Sequence, residues 1–130
     1  MARILFVDDD PFTLETLAKA VEVFGHHALL ANTGEEGLEI AVGQSPDLIF
    51  CDMFLPDMDG LKLVKALNGS ATTAQIPVLI LSASPAIDAA ELVKAAGATA
   101  YLTKPIHLQD LLNIIEEFTA KKANPPALAP

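Results

Sequence analysis

The chain has 130 residues, of which 17 are acidic and 8 are basic, so its formal net charge is −9. This charge argues against nucleic acid or an anionic membrane surface as a direct partner, because both attract a surplus of Lys and Arg. With 52% hydrophobic residues, one cysteine (Cys51) and no apolar run of membrane-spanning length, the sequence predicts one soluble cytoplasmic domain without disulfides or a Cys-based metal cage.

Five short apolar runs predict five β-strands. Most are aliphatic or β-branched and lack the polar alternation of a strand with one solvated face. Such runs are typical of parallel sheets that are buried on both faces. The runs are Ile4–Val7, Ala28–Ala31, Leu48–Cys51, Val78–Leu81 and Ala100–Leu102.

Helical patterns alternate with these strands. Asp10 predicts the cap of a first helix with Pro11 at its first position, and Gly25 predicts its end. Thr33 and Glu36 form a capping-box pattern before the second helix. The apolar residues of the first helix are Leu14, Leu17, Ala18, Val21 and Phe24, and those of the second are Leu38–Val42. A third helix is predicted by Leu61, Val64 and Leu67 and ends at Asn68–Gly69, and an Ala-rich fourth runs from Pro85 to near Gly97. A fifth is predicted by Leu108, Leu111, Leu112, Ile115 and Phe118 or Thr119.

Alternating strands and helices predict a parallel sheet with helices on both faces. In such sheets, ligands bind beyond the carboxyl ends of the strands. The polar residues that follow the predicted strands are Asp8, Asp9 and Asp10, then Asp52, Ser82 and Thr103–Pro105, whereas Asn32–Thr33 fits ordinary helix capping.

Because Asp10 is assigned to the helix cap, three carboxylates (Asp8, Asp9 and Asp52) would share one edge of the sheet with a single lysine, Lys104. Two carboxylates about 4 Å apart repel by about 4 kcal/mol at an effective dielectric constant near 20. Either one pKa rises or a divalent cation binds, and an oxygen-only donor set suits Mg²⁺. A carboxylate, a cation, a lysine and a hydroxyl together suit phosphoryl transfer with the carboxylate as nucleophile.

Four motifs carry a family resemblance. In order and spacing they resemble the response-regulator receiver domains (CheY-like) of two-component signalling, over about residues 2–122. The motifs are Ile4–Pro11 (ILFVDDDP), Asp47–Gly60 (DLIFCDMFLPDMDG), Pro77–Ala83 (PVLILSA) and Tyr101–Pro105 (YLTKP). The resemblance implies an α/β, flavodoxin-like doubly wound fold with strand order 2-1-3-4-5 and five helices. We expect a receiver unit over residues 1–122 and a Pro/Ala-rich tail or linker stump over 123–130.

The resemblance also implies a role for each matching residue. Asp52 is expected to be the phosphoacceptor. Mg²⁺ is expected to bind Asp9 and Asp52 directly, Asp8 through water, and the backbone carbonyl of Phe54. Lys104, whose bond to Pro105 is expected to be cis, would pair with Asp52 and then with the phosphoryl group. Ser82 would bond a phosphoryl oxygen, and Tyr101 would turn inward as the switch completes.

The implied function is a phosphorelay receiver that is not a metabolic enzyme. A sensor histidine kinase or histidine phosphotransfer protein would supply the phosphoryl group. The surface of the fourth helix, fifth strand and fifth helix would then change, to control a downstream protein or fused output domain or to form a homodimer.

Three alternatives remain at this stage. A pseudo-receiver would dock partners without being phosphorylated, although Asp9, Asp52 and Lys104 are all present. A Mg²⁺ phosphatase of the haloacid-dehalogenase type needs a second Asp two residues after the nucleophile, where this chain has Phe54. A flavin binder needs a phosphate-cradling loop after strand one, where the aspartates would repel the phosphate.

Other polar residues receive structural interpretations. Asp57 and Asp59 lie in a Pro/Gly turn and are expected to form it. His26, His27 and His107 have no His or Cys partners at metal-ligand spacing and are expected to be structural. Phe54 departs from the polar residue that many receivers carry there, and Ser84 is small, so we expect slow loss of the phosphoryl group.

Overall fold

Strands and helices alternate through residues 2–83, 91 and 94–123, the part of the chain that the computed structural model describes. Within these residues the strands are β1 (Arg3–Val7), β2 (His27–Ala31), β3 (Leu48–Asp52), β4 (Val78–Ser82) and β5 (Ala100–Thr103). The helices are α1 (Pro11–Val23), α2 (Gly34–Gln44), α3 (Gly60–Asn68) and α4 (Leu108–Ala123), the last being the predicted fifth helix. None of these helices is long and apolar enough to cross a membrane.

The five strands form one parallel sheet in the order β2-β1-β3-β4-β5. This confirms the predicted strand order and the doubly wound, flavodoxin-like fold. Because all strands run the same way, the chain leaves β1, β3, β4 and β5 at one carboxyl edge. The polar residues after these strands are thereby brought together.

Two hydrophobic clusters cover the two faces of the sheet. Alternate strand residues such as Leu5, Ile49 and Ile80 pack with buried side chains of α2 and α3. The intervening residues pack with α1 and α4, and among them Phe6 and Phe50 stack with ring centroids 5.4 Å apart. The alternation gives each face of the central strands its own core.

The prediction that all five strands are buried on both faces is wrong for the two edge strands. β1, β3 and β4 lie in the centre and are buried, apart from Arg3 at the start of β1 and a half-buried Asp52 at the end of β3. Leu30 of β2 is 38% exposed, and the four residues of β5 are half-buried or exposed. An apolar run does not reveal whether its strand has one neighbour or two, because that depends on strand order.

The helix termini follow the predicted signals with two differences. Asp10 caps α1, and Thr33 caps α2 by accepting the N–H of Glu36. The side chain of Glu36 turns back to the N–H of Asn32 instead of closing a strict capping box on Thr33. Phe24, assigned to the apolar stripe of the first helix, is 54% exposed because the helix ends before it.

The predicted fourth helix, from Pro85 to near Gly97, lies mostly outside the described residues. Glu91, Lys94 and Ala95 within it are helical, and Gly97 has a positive φ of 107°. Ser84 and residues 124–130 of the predicted tail also lie outside the described part of the chain.

Candidate metal and phosphoacceptor site

Three carboxylates converge at the carboxyl edge of the sheet. Asp8 and Asp9 follow β1, and Asp52 is the last residue of β3, the strand paired with β1. One oxygen from each of the three side chains lies within 4.8 Å of the others. Among the described residues, this is the group of acidic, His or Cys side chains that is close enough to hold a metal ion.

Lys104 supplies positive charge to this cluster from the end of β5. Its Nζ lies 2.8 Å from Asp8 Oδ2 and 3.4 Å from Asp52 Oδ1. The resemblance predicted pairing with Asp52, but the shorter contact is with Asp8, whose side chain is only 6% exposed. Asp8 also accepts the backbone N–H of Asp10 over 2.9 Å. The cis Lys104–Pro105 bond is confirmed.

One lysine does not neutralise this site. Burial raises the pKa of the Asp52 carboxyl, Lys104 lowers it in part, and the charge of Asp8 raises it further. Burial lowers the pKa of Lys104, but Asp8 and Asp52 together more than offset this and the net pKa is raised. With three carboxylates against one lysine, the site holds an excess of negative charge in a half-buried place.

A hard divalent cation fits this donor set. The donors are carboxylate oxygens without sulfur or imidazole, as Mg²⁺ prefers, and their excess charge disfavours the cluster unless a cation joins it. Asp9 is exposed, so one side of the cluster remains open to water. Mg²⁺ keeps several water ligands and needs few carboxylates, which matches that openness.

Ser82 and Tyr101 lie on β4 and β5, the two strands on the Lys104 side of Asp52. Ser82 ends β4 and is 2% exposed, and its carbonyl accepts the N–H of Lys104 over 2.8 Å. Tyr101 pairs in register with Ile80 and packs half-buried against the core cluster of α2 and α3. Ser82 therefore ends the strand next to that of Asp52, and Tyr101 lies on β5, the strand that Lys104 follows.

The loop after Asp52 forms a small hairpin, residues 53–60. Its hydrogen bonds run from Leu55 N–H to the Met58 carbonyl and from Gly60 N–H to the Met53 carbonyl, and Phe54 bridges to Asp59. The side chain of Phe54 is 68% exposed. The hairpin, and not burial of this side chain, therefore fixes the backbone of residue 54.

Two aspartates of this hairpin do more than form a turn. Asp59 caps α3 by accepting the N–H of Lys62. Asp57 accepts the N–H groups of Gly34 and Glu35, at the start of α2, over 2.8 and 2.9 Å. Sequence reasoning missed the contact of Asp57 because Gly34 and Glu35 are 23 and 22 residues away, and capping patterns are recognised only over three or four residues.

The remaining polar side chains support the structural interpretations. Cys51 is fully buried, and burial raises the pKa of its thiol far above the ordinary value. His26 accepts the N–H of Ala2 through Nδ1 over 3.1 Å, so it completes the start of β1. His27 opens β2, and His107 precedes α4 with its carbonyl accepting the N–H of Leu111.

Comparison with known proteins gives one consistent family. The model described as the response regulator receiver domain matches residues 4–116. PilH of Pseudomonas aeruginosa is 35% identical over 120 residues, which cover 92% of this chain and 99% of PilH. The DNA-binding dual master transcriptional regulator RpaA of Synechocystis is 38% identical over 112 residues, but these cover 86% of this chain and only 46% of RpaA.

Solved structures show the same architecture. Chemotaxis protein CheY4 of Vibrio cholerae superposes with a TM-score of 0.85 at 29% identity, covering 91% of this chain and 98% of CheY4. A response regulator receiver domain protein from Clostridium thermocellum gives a TM-score of 0.85 at 30% identity, covering 95% and 98%. The chain thus matches these two structures over almost their whole length.

Proposed function

This chain belongs to the response regulator receiver family of two-component systems, and from that premise we propose that Asp52 accepts a phosphoryl group from the phosphohistidine of a partner. The observation that carries the proposal is the junction of Asp8, Asp9 and Asp52 within 4.8 Å, with Lys104 Nζ 3.4 Å from Asp52. The receiver unit in this proposal extends over residues 1–122.

The transfer is a displacement at phosphorus. A carboxylate oxygen of Asp52 attacks the phosphorus, the P–N bond to the donor imidazole breaks, and the imidazole nitrogen keeps the electron pair. Lys104 donates to a phosphoryl oxygen, and the hydroxyl of Ser82 donates to another. These donors act on charge that develops in the transition state, where such contacts are most effective.

Asp8, Asp9, Asp52 and the carbonyl of Phe54 are the proposed ligands of Mg²⁺. When bound, the ion neutralises negative charge on the transferring oxygens. Asp8 has its second role in orienting Lys104, through the 2.8 Å ion pair. Because Asp8 is buried and already bonded to two donors, a ligand role through water suits it better than direct coordination.

Phosphorylation then acts as a switch by shifting populations. An acyl phosphate adds up to about two negative charges and three acceptor oxygens. Ser82 and Lys104 satisfy these acceptors by closing on Asp52, and Tyr101 follows on β5. The conformer with the changed surface of the predicted fourth helix, β5 and α4 is then favoured. That surface controls a downstream protein, a fused output domain or a homodimer.

Intact-mass measurement tests the phosphoacceptor. The chain is incubated with Mg²⁺ and a small acyl-phosphate donor beside Asp52→Asn and Asp47→Asn, the last at the opposite edge of the sheet. We expect one added phosphoryl group in the wild type and Asp47→Asn, and none in Asp52→Asn or without Mg²⁺. Phosphoryl transfer to Asp52→Asn, or none to a folded wild type with Mg²⁺ bound, would refute the assignment.

Phe54 sets how long the phosphoryl group persists. Its exposed ring has no hydrogen-bonding group to orient an attacking water molecule. Phe54→Asn supplies one, so we expect its phosphoryl half-life to shorten by about tenfold, less than a full general base provides. A half-life that is unchanged or longer in Phe54→Asn would contradict this explanation.

A further inference from the structure

Asp57 joins two separate parts of the molecule. Both of its carboxylate oxygens accept backbone N–H groups at the start of α2, Oδ1 from Gly34 and Oδ2 from Glu35. These two bonds, that of Gly34 first, lower the pKa of the Asp57 carboxyl. Asp57 itself is exposed, so its place is determined by this contact and not by burial. The tip of the hairpin 53–60 is thereby tied to α2.

Met58 packs closely against the start of α2, beside the contact made by Asp57. A Cβ atom added at Gly34 would lie 2.5 Å from Cγ and Sδ of Met58, so the hairpin rests directly on the backbone of α2. That helix is a firm support, because it packs on β1 and β2 through the buried Ala41. The hairpin is therefore held by the helix that also packs on β1, the strand leading to Asp8 and Asp9.

The hairpin in turn sets the direction of the Phe54 carbonyl. This carbonyl and the N–H of Leu55 belong to one peptide unit, and in a trans peptide they point in opposite directions. The N–H of Leu55 donates to the Met58 carbonyl over 3.1 Å, so the Phe54 carbonyl is directed away from Met58. The direction of the Phe54 carbonyl therefore depends on where residues 55–58 are held.

We propose that Asp57 is a positioning residue for metal binding: its contact with α2 holds the hairpin so that the Phe54 carbonyl is preorganised as a ligand. The inference rests on the proposed function, in which that carbonyl binds Mg²⁺. Ligands that are already oriented bind a metal more tightly, and loss of an outer partner commonly weakens affinity by tenfold or more.

Calorimetric titration with Mg²⁺ tests the role with three variants. Asp57→Ala removes both bonds, and we expect its Kd for Mg²⁺ to rise by about tenfold. Asp57→Asn removes the charge but keeps one acceptor oxygen, so its Kd should lie between those of Asp57→Ala and the wild type. Thr33→Ala removes the other cap of α2 without touching the hairpin, so its Kd should equal that of the wild type.

The outcomes separate this inference from the proposed function. A wild-type chain that binds no Mg²⁺ would overturn the proposed metal site together with the role of Asp57. Wild-type binding with an unchanged Kd in Asp57→Ala would overturn the inference alone. Equal losses of Mg²⁺ affinity in Asp57→Ala and Asp57→Asn would also overturn it, because they would indicate an effect of charge alone. Equal losses of Mg²⁺ affinity in Asp57→Ala and Thr33→Ala would do the same, because they would indicate a general loosening of α2.

A second measurement needs only the wild-type chain and covers the case in which Asp57→Ala does not fold. Coupling between two sites is reciprocal, so if the contact favours Mg²⁺ binding, Mg²⁺ binding favours the contact. The amide hydrogens of Gly34 and Glu35 should therefore exchange more slowly when Mg²⁺ is bound. Exchange at these two amides that does not respond to Mg²⁺ would overturn the proposal.

Discussion

The amino edge and the carboxyl edge of the sheet, where the parallel strands begin and end, satisfy their polar groups in different ways. At the amino edge, where the strands begin, three uncharged N–H groups at the starts of β1 and β4 are each accepted by one side chain. At the carboxyl edge, charged side chains meet one another, and Lys104 lies between Asp8 and Asp52. The amino-edge acceptors are His26 Nδ1, Asp47 Oδ2 and Thr99 Oγ1, which accept from Ala2, Arg3 and Val78 over 3.1, 2.9 and 3.2 Å.

This difference separates a structural edge from a functional one. An unpaired N–H group needs only an acceptor, and the amino edge supplies that acceptor from within the chain. The carboxyl edge holds more negative charge than Lys104 compensates, and in the proposed function a cation from solution supplies the rest. The largest predicted effects accordingly arise at the carboxyl edge.

Mg²⁺ should stabilise the fold through the carboxyl edge alone. At about one hundred times its Kd, a ligand that binds only the folded state adds about 2.7 kcal/mol to the free energy of unfolding. We expect this gain in the wild type and in Asp47→Asn, measured by chemical denaturation with and without Mg²⁺. Asp9→Asn should lose most of it. Equal gains in Asp9→Asn and the wild type would contradict the assigned site.

Without Mg²⁺, Lys104→Met should be destabilised by about 2 kcal/mol, the usual range for a lost hydrogen bond to a charged group. The reason is that Asp8 stays buried and loses its only described cationic partner. Lys19→Met is the matched control, because Lys19 and Glu15 form an exposed pair that water screens, so its loss should be much the smaller of the two. Comparable losses in the two variants would show that Asp8 does not depend on Lys104.

At the amino edge, Asp47→Ala should lower the free energy of unfolding by about 1 kcal/mol, the typical net contribution of one hydrogen bond. The N–H of Arg3 then loses its acceptor, while Asp47→Asn keeps one and should be close to the wild type. Neither variant should change the Kd for Mg²⁺. A weaker Mg²⁺ affinity in Asp47→Ala would show that the two edges are coupled.

Much of the fold follows from local sequence signals. The apolar runs located all five strands, and Asp10, Thr33 and Gly25 marked helix ends where the structure has them. These features depend on residues close in sequence, where capping and periodicity act. Edge exposure of β2 and β5 was mispredicted because it depends on which strands become neighbours.

The candidate site was predictable for a different reason. A parallel sheet brings the carboxyl ends of its strands together, so residues following separate runs could be assigned to one place before any distance was known. The sequence did not predict that Lys104 lies closer to Asp8 than to Asp52. That preference depends on the burial of the two carboxylates and on their distances from Lys104 Nζ in the folded chain. The contact of Asp57 with α2 was also missed, since it depends on the packing of a hairpin against a distant helix.

The smallest predicted effect is a pH dependence at the amino edge. His26 accepts the N–H of Ala2 through Nδ1, which requires a neutral ring. Burial, and secondarily the positive chain terminus, lowers the pKa of His26 below its ordinary value of 6.5. Between these two pKa values the unfolded chain binds more protons, so stability falls as the pH drops below 6.5 and levels off beneath the lowered pKa.

His26→Asn isolates this contribution, because its side-chain oxygen can accept the same N–H without titrating. As the pH falls below 6.5, we expect the free energy of unfolding of the wild type to decrease relative to that of His26→Asn. His27→Asn, at the exposed neighbour, should retain the wild-type decline. Since His26 is only partly buried, the shift should be smaller than the loss in Asp47→Ala. A constant difference across this pH range would show that the N–H of Ala2 does not depend on a neutral His26.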